Sequence, residues 1–412
     1  MKGNTLHLLT WPLFVAIFTL QGLNCHTVKT GAEILLERSS ADLYGKKVGV
    51  ISNPTGVLPN LVHTVDALFA KSLQSTSFKL CAIFGPEHGF RGDEQAGKGG
   101  TTSIDVRTGL PVFSLYGKNT TEIKMLFLSS GVDLILFDIQ DVGTRFYTYI
   151  WTMGNAMEAA GSVGIDVWVL DRPNPLTGTV EGPVLDPAFA SGVGMYPIPL
   201  RHGMTVGELA KLFCSKFIST PPVLKIIRME GYKRNMSFED TKLPFVIPSP
   251  NIPSVHAAFA YNGFGMLEGT NCSEGRGTTL PFLLVGHPEF DGNLTDSLRI
   301  QANRGLLQGA QFREAYFIPT FSKYEGTTVA GVELFLSSDT SPLEVFLAFI
   351  IQARSLYGEK ACAFSPYFDY LAGSDKVRLQ IEKGASVQEI LRSFEADIVA
   401  FQELASSFLL YD

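Results

Sequence analysis

From residue 45 onward the chain alternates short apolar runs with longer stretches whose apolar positions recur at helical spacing. Four runs, Lys47–Ser52, Lys79–Phe84, Asp133–Asp138 and Ile165–Asp171, are rich in Val, Ile, Leu and Phe with little polar alternation. Such runs suit strands covered on both faces, as in the middle of a parallel sheet. The intervening segments Leu61–Leu73, Thr121–Ser129 and Phe146–Ala160 read as helices. Strand and helix in this rhythm predict a doubly wound α/β domain.

The pattern changes further on. Thr205-x-x-Glu208 is a capping box that opens a helix running through Phe217, and Val223–Met229 reads as a further strand. Pro244, Pro248, Pro250 and Pro253 then exclude regular structure over Leu243–Pro253, which marks a domain junction. Beyond it lie a Gly-rich loop, Glu268–Thr279, and a second α/β or α+β region. Ser341-Pro342-x-Glu344 and Ser386-x-x-Glu389 start two more helices there. The expected division is residues 45–250 and 254–412, and no internal repeat or low-complexity segment interrupts it.

Composition narrows the function. In 412 residues, 45% hydrophobic and 18% charged, there is ample material for two packed cores. The net charge of −7 and the lack of any Lys/Arg-rich block argue against nucleic acid as a partner. The five cysteines include no C-x-x-C, so neither a cysteine-based zinc site nor a disulfide framework is expected. The N-terminus stands apart. The run Leu8–Leu20 is too short to span a bilayer and suits the apolar region of a secretory signal peptide over residues 1–25. Export is therefore expected, to a periplasmic, extracellular or envelope-attached location. Cys25 is a possible lipid anchor, although Gly22-Leu23-Asn24 fits a lipobox poorly. Past residue 30 no apolar stretch is long enough to span a membrane.

Chemistry is expected at the strand ends, where open α/β sheets bind ligands. The four predicted strands run into polar, turn-rich clusters: Ser52–Gly56, Gly85–Asp93, Asp138–Arg145 and Asp171–Pro175. They supply Asn53, Glu87, His88, Arg91, Asp138, Gln140, Asp141, Arg145, Asp171, Arg172 and Asn174. Asp138 and Asp171 read equally well as turn formers. Glu87 stands out because Pro86 and the flanking glycines fix a loop around a carboxylate just after a buried strand. No P-loop, no G-x-G-x-x-G after the first strand, no G-x-S-x-G elbow and no H-E-x-x-H is present. A site rich in Asp, Glu, Arg, Asn and Tyr is the usual lining of a sugar cleft, where two carboxylates handle an oxocarbenium-like transition state.

These clusters, with Val180–Pro183 (VEGP), Pro199–Glu208 (PLRHGMTVGE), Pro248–Pro253 (PSPNIP) and Glu268–Thr279 (EGTNCSEGRGTT), occur together and in order. From about residue 45 to Tyr411 the chain resembles the NamZ-type exo-β-N-acetylmuramidases, which trim N-acetylmuramic acid (MurNAc) from the non-reducing ends of peptidoglycan fragments. Cys272 and Ile252 are small departures within matching motifs. The resemblance implies a Rossmann-like N-terminal domain, a smaller C-terminal domain and a cleft between them. It implies Glu87 as the principal catalytic carboxylate; apart from the resemblance, Asp138 and Asp141 are the next catalytic candidates should Glu87 fail. Tyr147, Tyr149, Asn271, Glu274 and Arg276 are similar to the family's cleft lining. Arg201, His202, Asn251 and Glu268, in the same motifs, are further candidate binding residues.

The lactyl carboxylate of MurNAc suits a planar guanidinium, and Arg276, between Gly275 and Gly277, is the first choice for that contact. No cofactor or metal is expected. A noncatalytic glycan-binding protein on the same fold is the alternative function. A weaker third reading is a metal-dependent hydrolase using His88, Asp138 and Asp141.

Overall fold

The computed structural model describes residues 28–74, 77–92 and 102–412. The expected signal segment 1–25, with Cys25, and the loop residue Asp93 lie outside the described residues.

The strands are β1 (Lys47–Ser52), β2 (Lys79–Gly85), β3 (Ser103–Ile104), β4 (Pro111–Ser114), β5 (Leu134–Asp138), β6 (Asp166–Leu170), β7 (Glu181–Val184), β8 (Pro199–Arg201), β9 (Leu224–Ile227), β10 (Leu284–His287), β11 (Ala310–Phe317) and β12 (Val329–Leu336). Seven of them form one sheet in the order β3-β4-β2-β1-β5-β6-β9, parallel except for the edge strand β3. The chain winds outward from β1 through β2 to β4, then returns to lay β5 against the other side of β1. That reversal is a topological switch point, and it opens a crevice beyond the carboxyl ends of β1 and β5.

Strand β5 shows why the apolar runs are continuous. Leu134 and Leu136 enter the core on one face with Val48, Val50 and Val65, whereas Ile135 and Phe137 enter the other with Phe127, Trp151 and Phe213. Alternate side chains point to opposite faces, and helices cover both, so no position is left to be polar. The covering helices include Thr64–Gln74 on one side, with Thr120–Ser130, Tyr149–Gly161 and Val206–Lys216 on the other.

The Pro-rich stretch is irregular and ends at Ser254, whose side chain caps the helix Val255–Phe264 by accepting from the Ala257 N–H at 3.1 Å. That helix packs on Pro342–Tyr357 through edge-on rings of Phe264 with Phe346 and Phe349. Beside them lies the antiparallel sheet β10-β12-β11. The second unit is thus α+β, the form left open beside α/β. One apolar core runs through both units, from Ile51 to Phe408. The C-terminus also crosses back: the Tyr411 hydroxyl donates to Asp171 at 2.7 Å and the Leu410 N–H to Glu208 at 2.7 Å. Among the described residues no helix is long and apolar enough to cross a membrane.

The helix between β5 and β6 starts at Tyr149, not at Phe146. Residues before it are held in turns, and the hydroxyl of Thr148, its N-cap residue, makes no capping hydrogen bond. That hydroxyl is used elsewhere.

Candidate active site

Strand β2 ends at Gly85, and the chain turns through Pro86, Glu87, His88 and Gly89. His88 adopts φ 70° and Gly89 φ 76°. A left-handed histidine stores local strain of about 1 kcal/mol or more, and such strain persists only where the surroundings over-determine it. The result is a fixed loop that directs Glu87 into a cavity of about 740 Å³. Thr148 Oγ1 donates to Glu87 Oε2 at 2.8 Å, and the Tyr116 side chain also hydrogen-bonds to the carboxylate. Burial, followed by the Glu87 charge, raises the Tyr116 hydroxyl above its ordinary pKa, so it remains a proton donor.

The C-terminal unit supplies the other wall. Glu268 and Arg276 line the cavity, joined by a 2.7 Å hydrogen bond from Arg276 Nη2 to Glu268 Oε1. Arg276 also faces Glu274 at 3.4 Å, and Glu274 is held from behind by Lys323 at 2.9 Å. Burial raises the Glu268 pKa against the lowering effect of Arg276. Aromatic side chains complete the walls: Phe146 and Tyr147 from the first unit, and Tyr261, Phe282, Phe321 and Tyr367 from the second. Burial first, then Glu268 and Glu87, push the Tyr367 hydroxyl up to about 12. Tyr367 is thus a neutral hydrogen-bond donor within the field of both carboxylates. Ring faces with a few directed polar groups make a pocket suited to a sugar.

Of the residues expected at the site, Glu87, His88, Tyr147, Asn251, Glu268 and Arg276 line this cavity. The others lie elsewhere. Asp138 is fully buried and takes a bidentate guanidinium, with Arg172 Nε to Oδ1 at 2.6 Å and Nη2 to Oδ2 at 3.0 Å. Asp141, buried as well, accepts from the Gly143 N–H at 2.7 Å and lies 3.9 Å from His202. Neither lines the cavity: Asp138 is spent on an interior ion pair and Asp141 on a turn bond. His88, Asp138 and Asp141 do not converge, and among the described residues no three His, Cys, Asp or Glu side chains group as metal ligands.

The remaining corrections share one cause: each side chain is used by its own backbone surroundings or by an ion pair. Asn53 Oδ1 closes a turn onto the Thr55 N–H and hydroxyl, and Asn174 does the same for Leu176 N–H. Gln140 donates to the Asp141 and Pro173 carbonyls. Arg91 clamps Asp66 and Asp105, both at 3.0 Å. Arg145 is completely buried and donates to the carbonyls of Leu371 and Ala372, bolting the two units together. Tyr149 donates to the Pro248 carbonyl. Asp171 collects Thr205, Gly207 and Tyr411 donors. Arg201 holds the Leu176 carbonyl and faces Glu181 at 3.7 Å, and His202 accepts from the Met204 N–H. Asn271 ties Lys360 to Ala363. Glu274 is held between Arg276 and Lys323.

The glycines flanking Arg276 are required by the packing of the loop itself. Gly275 and Gly277 sit at φ 79° and 83°, and a Cβ on them would meet the carbonyl oxygens of Leu284 at 2.2 Å and Phe321 at 2.5 Å. They let the loop lie against its own scaffold. The sequence reading missed Thr148, Tyr116, Tyr261 and Tyr367. Thr148 was within reach as the polar residue between Tyr147 and Tyr149; the other three stand in no motif.

Two carboxylates on an aromatic-walled cavity, at the carboxyl edge of a doubly wound sheet, suit a glycoside hydrolase. Comparison with known proteins shows the family. Residues 48–256 match the N-terminal domain of exo-beta-N-acetylmuramidase NamZ, and residues 259–411 match its C-terminal domain. The chain therefore belongs to the NamZ exo-β-N-acetylmuramidase family of glycoside hydrolases. The peptidoglycan beta-N-acetylmuramidase NamZ of Bacillus subtilis (strain 168) is 47% identical over 389 residues, spanning 93% of this chain and 91% of that protein. Two crystal structures of DUF1343 family proteins from Bacteroides fragilis NCTC 9343 share the fold. One has a TM-score of 0.83 at 34% identity, covering 94% of this chain and 99% of the other. The second has a TM-score of 0.75 at 33% identity, covering 93% and 99%.

Proposed function

We propose that this protein releases MurNAc from the non-reducing ends of peptidoglycan fragments, with Glu87 as the acid/base. The observation that carries this reading is the placement of Glu87: fixed by a strained loop, held by hydroxyls, and turned into a cavity large enough for a sugar ligand. The glycosidic oxygen needs a proton as its bond to the anomeric carbon breaks, and a protonated Glu87 supplies it. The resulting carboxylate then takes a proton from the water that completes hydrolysis. Tyr116 and Thr148 hold the side chain in one position through both steps.

Arg276 faces the same cavity; of its five guanidinium N–H groups, one on Nη2 donates to Glu268 and Nε is turned to Glu274 at 3.4 Å. Its remaining donors suit the lactyl carboxylate that distinguishes MurNAc from N-acetylglucosamine (GlcNAc). The apolar run Leu8–Leu20 supports export of the chain to the compartment where peptidoglycan lies. N-terminal sequencing of the native protein tests this: an intact Met1 on cytoplasmic protein would contradict it.

The decisive substrate test is turnover of a chromogenic β-MurNAc glycoside beside its β-GlcNAc counterpart. Preferential hydrolysis of the MurNAc compound is expected. Equal turnover of the two, or of neither, would overturn the assignment.

A further inference from the structure

Cys272 and Cys362 are 90 residues apart in the chain, yet their sulfurs lie 2.6 Å from each other and both residues are completely buried. The surrounding backbone brings them together independently of the sulfurs. Thr270 and Phe364 form an antiparallel bridge, the Asn271 N–H donates to the Ala363 carbonyl at 3.1 Å, and the Asn271 side chain accepts from the Ala363 N–H at 2.7 Å. The two segments therefore run side by side, with one cysteine on each. Both belong to the buried apolar core, and among the described residues no three His, Cys, Asp or Glu side chains that include them group as metal ligands.

We propose that Cys272 and Cys362 form a disulfide in the mature protein, clamping the loop that carries Glu268, Glu274 and Arg276 to the segment after the helix Pro342–Tyr357. The loop is one wall of the cavity, and its cysteine sits midway between Glu268 and Arg276. The clamp would hold that wall against the C-terminal scaffold, alongside Lys323, which donates to the carbonyls of Leu267 at 2.7 Å and Cys272 at 2.9 Å. It revises the expectation, drawn from cysteine spacing, that no disulfide is present. Spacing reveals local pairs such as C-x-x-C, whereas this pair is made by tertiary folding.

The chemistry is a thiol–disulfide exchange with a small disulfide donor such as oxidised glutathione. One cysteine thiolate attacks the donor, forming a mixed disulfide and releasing one glutathione thiol. The second thiolate displaces the other glutathione, so two protein thiols are oxidised and one donor disulfide is reduced. The hydrogen bond with Cys272, then burial, raises the Cys362 thiol, and neither residue is exposed once the chain has folded. The exchange therefore takes place during folding, before the core closes. An oxidising compartment would favour it, but the test below does not depend on export.

The full chain is denatured and reduced, then refolded either in a glutathione redox buffer or in dithiothreitol. It is alkylated, digested without reduction and analysed by mass spectrometry. From the glutathione buffer, the peptide containing Cys272 should appear joined to the one containing Cys362, lighter by two hydrogens than their sum. Cys81 and Cys214 should carry the alkyl group. Full alkylation of both Cys272 and Cys362 would overturn the proposal. A Cys272→Ala/Cys362→Ala protein with unchanged circular dichroism provides a second measure. It should melt roughly 5–15 °C below the oxidised protein, since a cross-link closing so long a loop restricts the unfolded chain strongly. Equal melting would contradict a clamp.

Discussion

Glu87 lies just past the end of a buried parallel strand and Asp138 closes another, so both stand on the carboxyl edge of the sheet and both looked like catalytic candidates. Their surroundings differ. Glu87 is bonded by the hydroxyls of Thr148 and Tyr116 at the wall of a cavity. Asp138 is gripped by both arms of the Arg172 guanidinium in the interior. Hydroxyls orient a carboxylate while leaving it able to exchange a proton. A bidentate guanidinium occupies both of its oxygens and ties it to the interior. Position on the rim thus makes a carboxylate a candidate, and its partner decides whether it serves chemistry or stability.

The widest separation between the two should appear on removing a partner. Arg172→Ala leaves Asp138 as an unpaired buried charge, which should cost about 3–5 kcal/mol of stability in urea denaturation. Activity per folded molecule should change little, because neither residue touches the cavity. A variant of normal stability but reduced kcat would reverse the roles assigned to the two carboxylates.

A smaller effect should come from Asp171, a third carboxylate on the same edge. Burial pushes its pKa up to about 6, against the lowering influence of the Tyr411, Gly207 and Thr205 donors. Because the folded pKa lies above the unfolded value, this group stabilises the native state most at low pH, and its contribution is lost as pH rises through about 6. Asp171→Asn does not titrate. The stability gap between wild type and Asp171→Asn should therefore widen by about 1–3 kcal/mol as pH falls from about 7 to about 4. A gap that narrows on acidification would show that the buried group favours its charged form.

Thr148→Val should produce the smallest change, and in activity alone. Thr148 is a positioning residue: it holds Glu87 and caps nothing. Loss of its hydrogen bond should lower kcat about 10-fold, with KM and Tm nearly unchanged. A fall in Tm with unchanged kcat would make the threonine purely structural.

The difference between these carboxylates explains what the sequence could reveal. The runs around Val48, Leu134 and Val169 showed the sheet, because strands covered on both faces have a composition that edge strands lack. The short strands β3, β4, β7 and β8 escaped notice because they are brief and carry Pro or polar residues. The antiparallel sheet was foreseen only as far as its class. The Glu87 loop was legible through Pro86 and Gly89. The Asp138–Arg172 pair was not, since its partners are 34 positions apart and meet only once β5 and β6 align. Arg145 likewise finds its carbonyl acceptors 226 and 227 positions away. Tyr261 and Tyr367 gave no local sign of the cavity, because an aromatic residue on a helix looks the same whether it faces a core or a ligand.

The account rests on Glu87 as the group that moves the proton, and Glu87→Gln tests it most directly. The substitution keeps the size and shape of the side chain but removes the titrating carboxyl. With a β-MurNAc glycoside as substrate, kcat should fall by about 10²–10⁴-fold while Tm stays close to that of the wild type. Near-normal kcat in a well-folded Glu87→Gln protein would contradict the assignment.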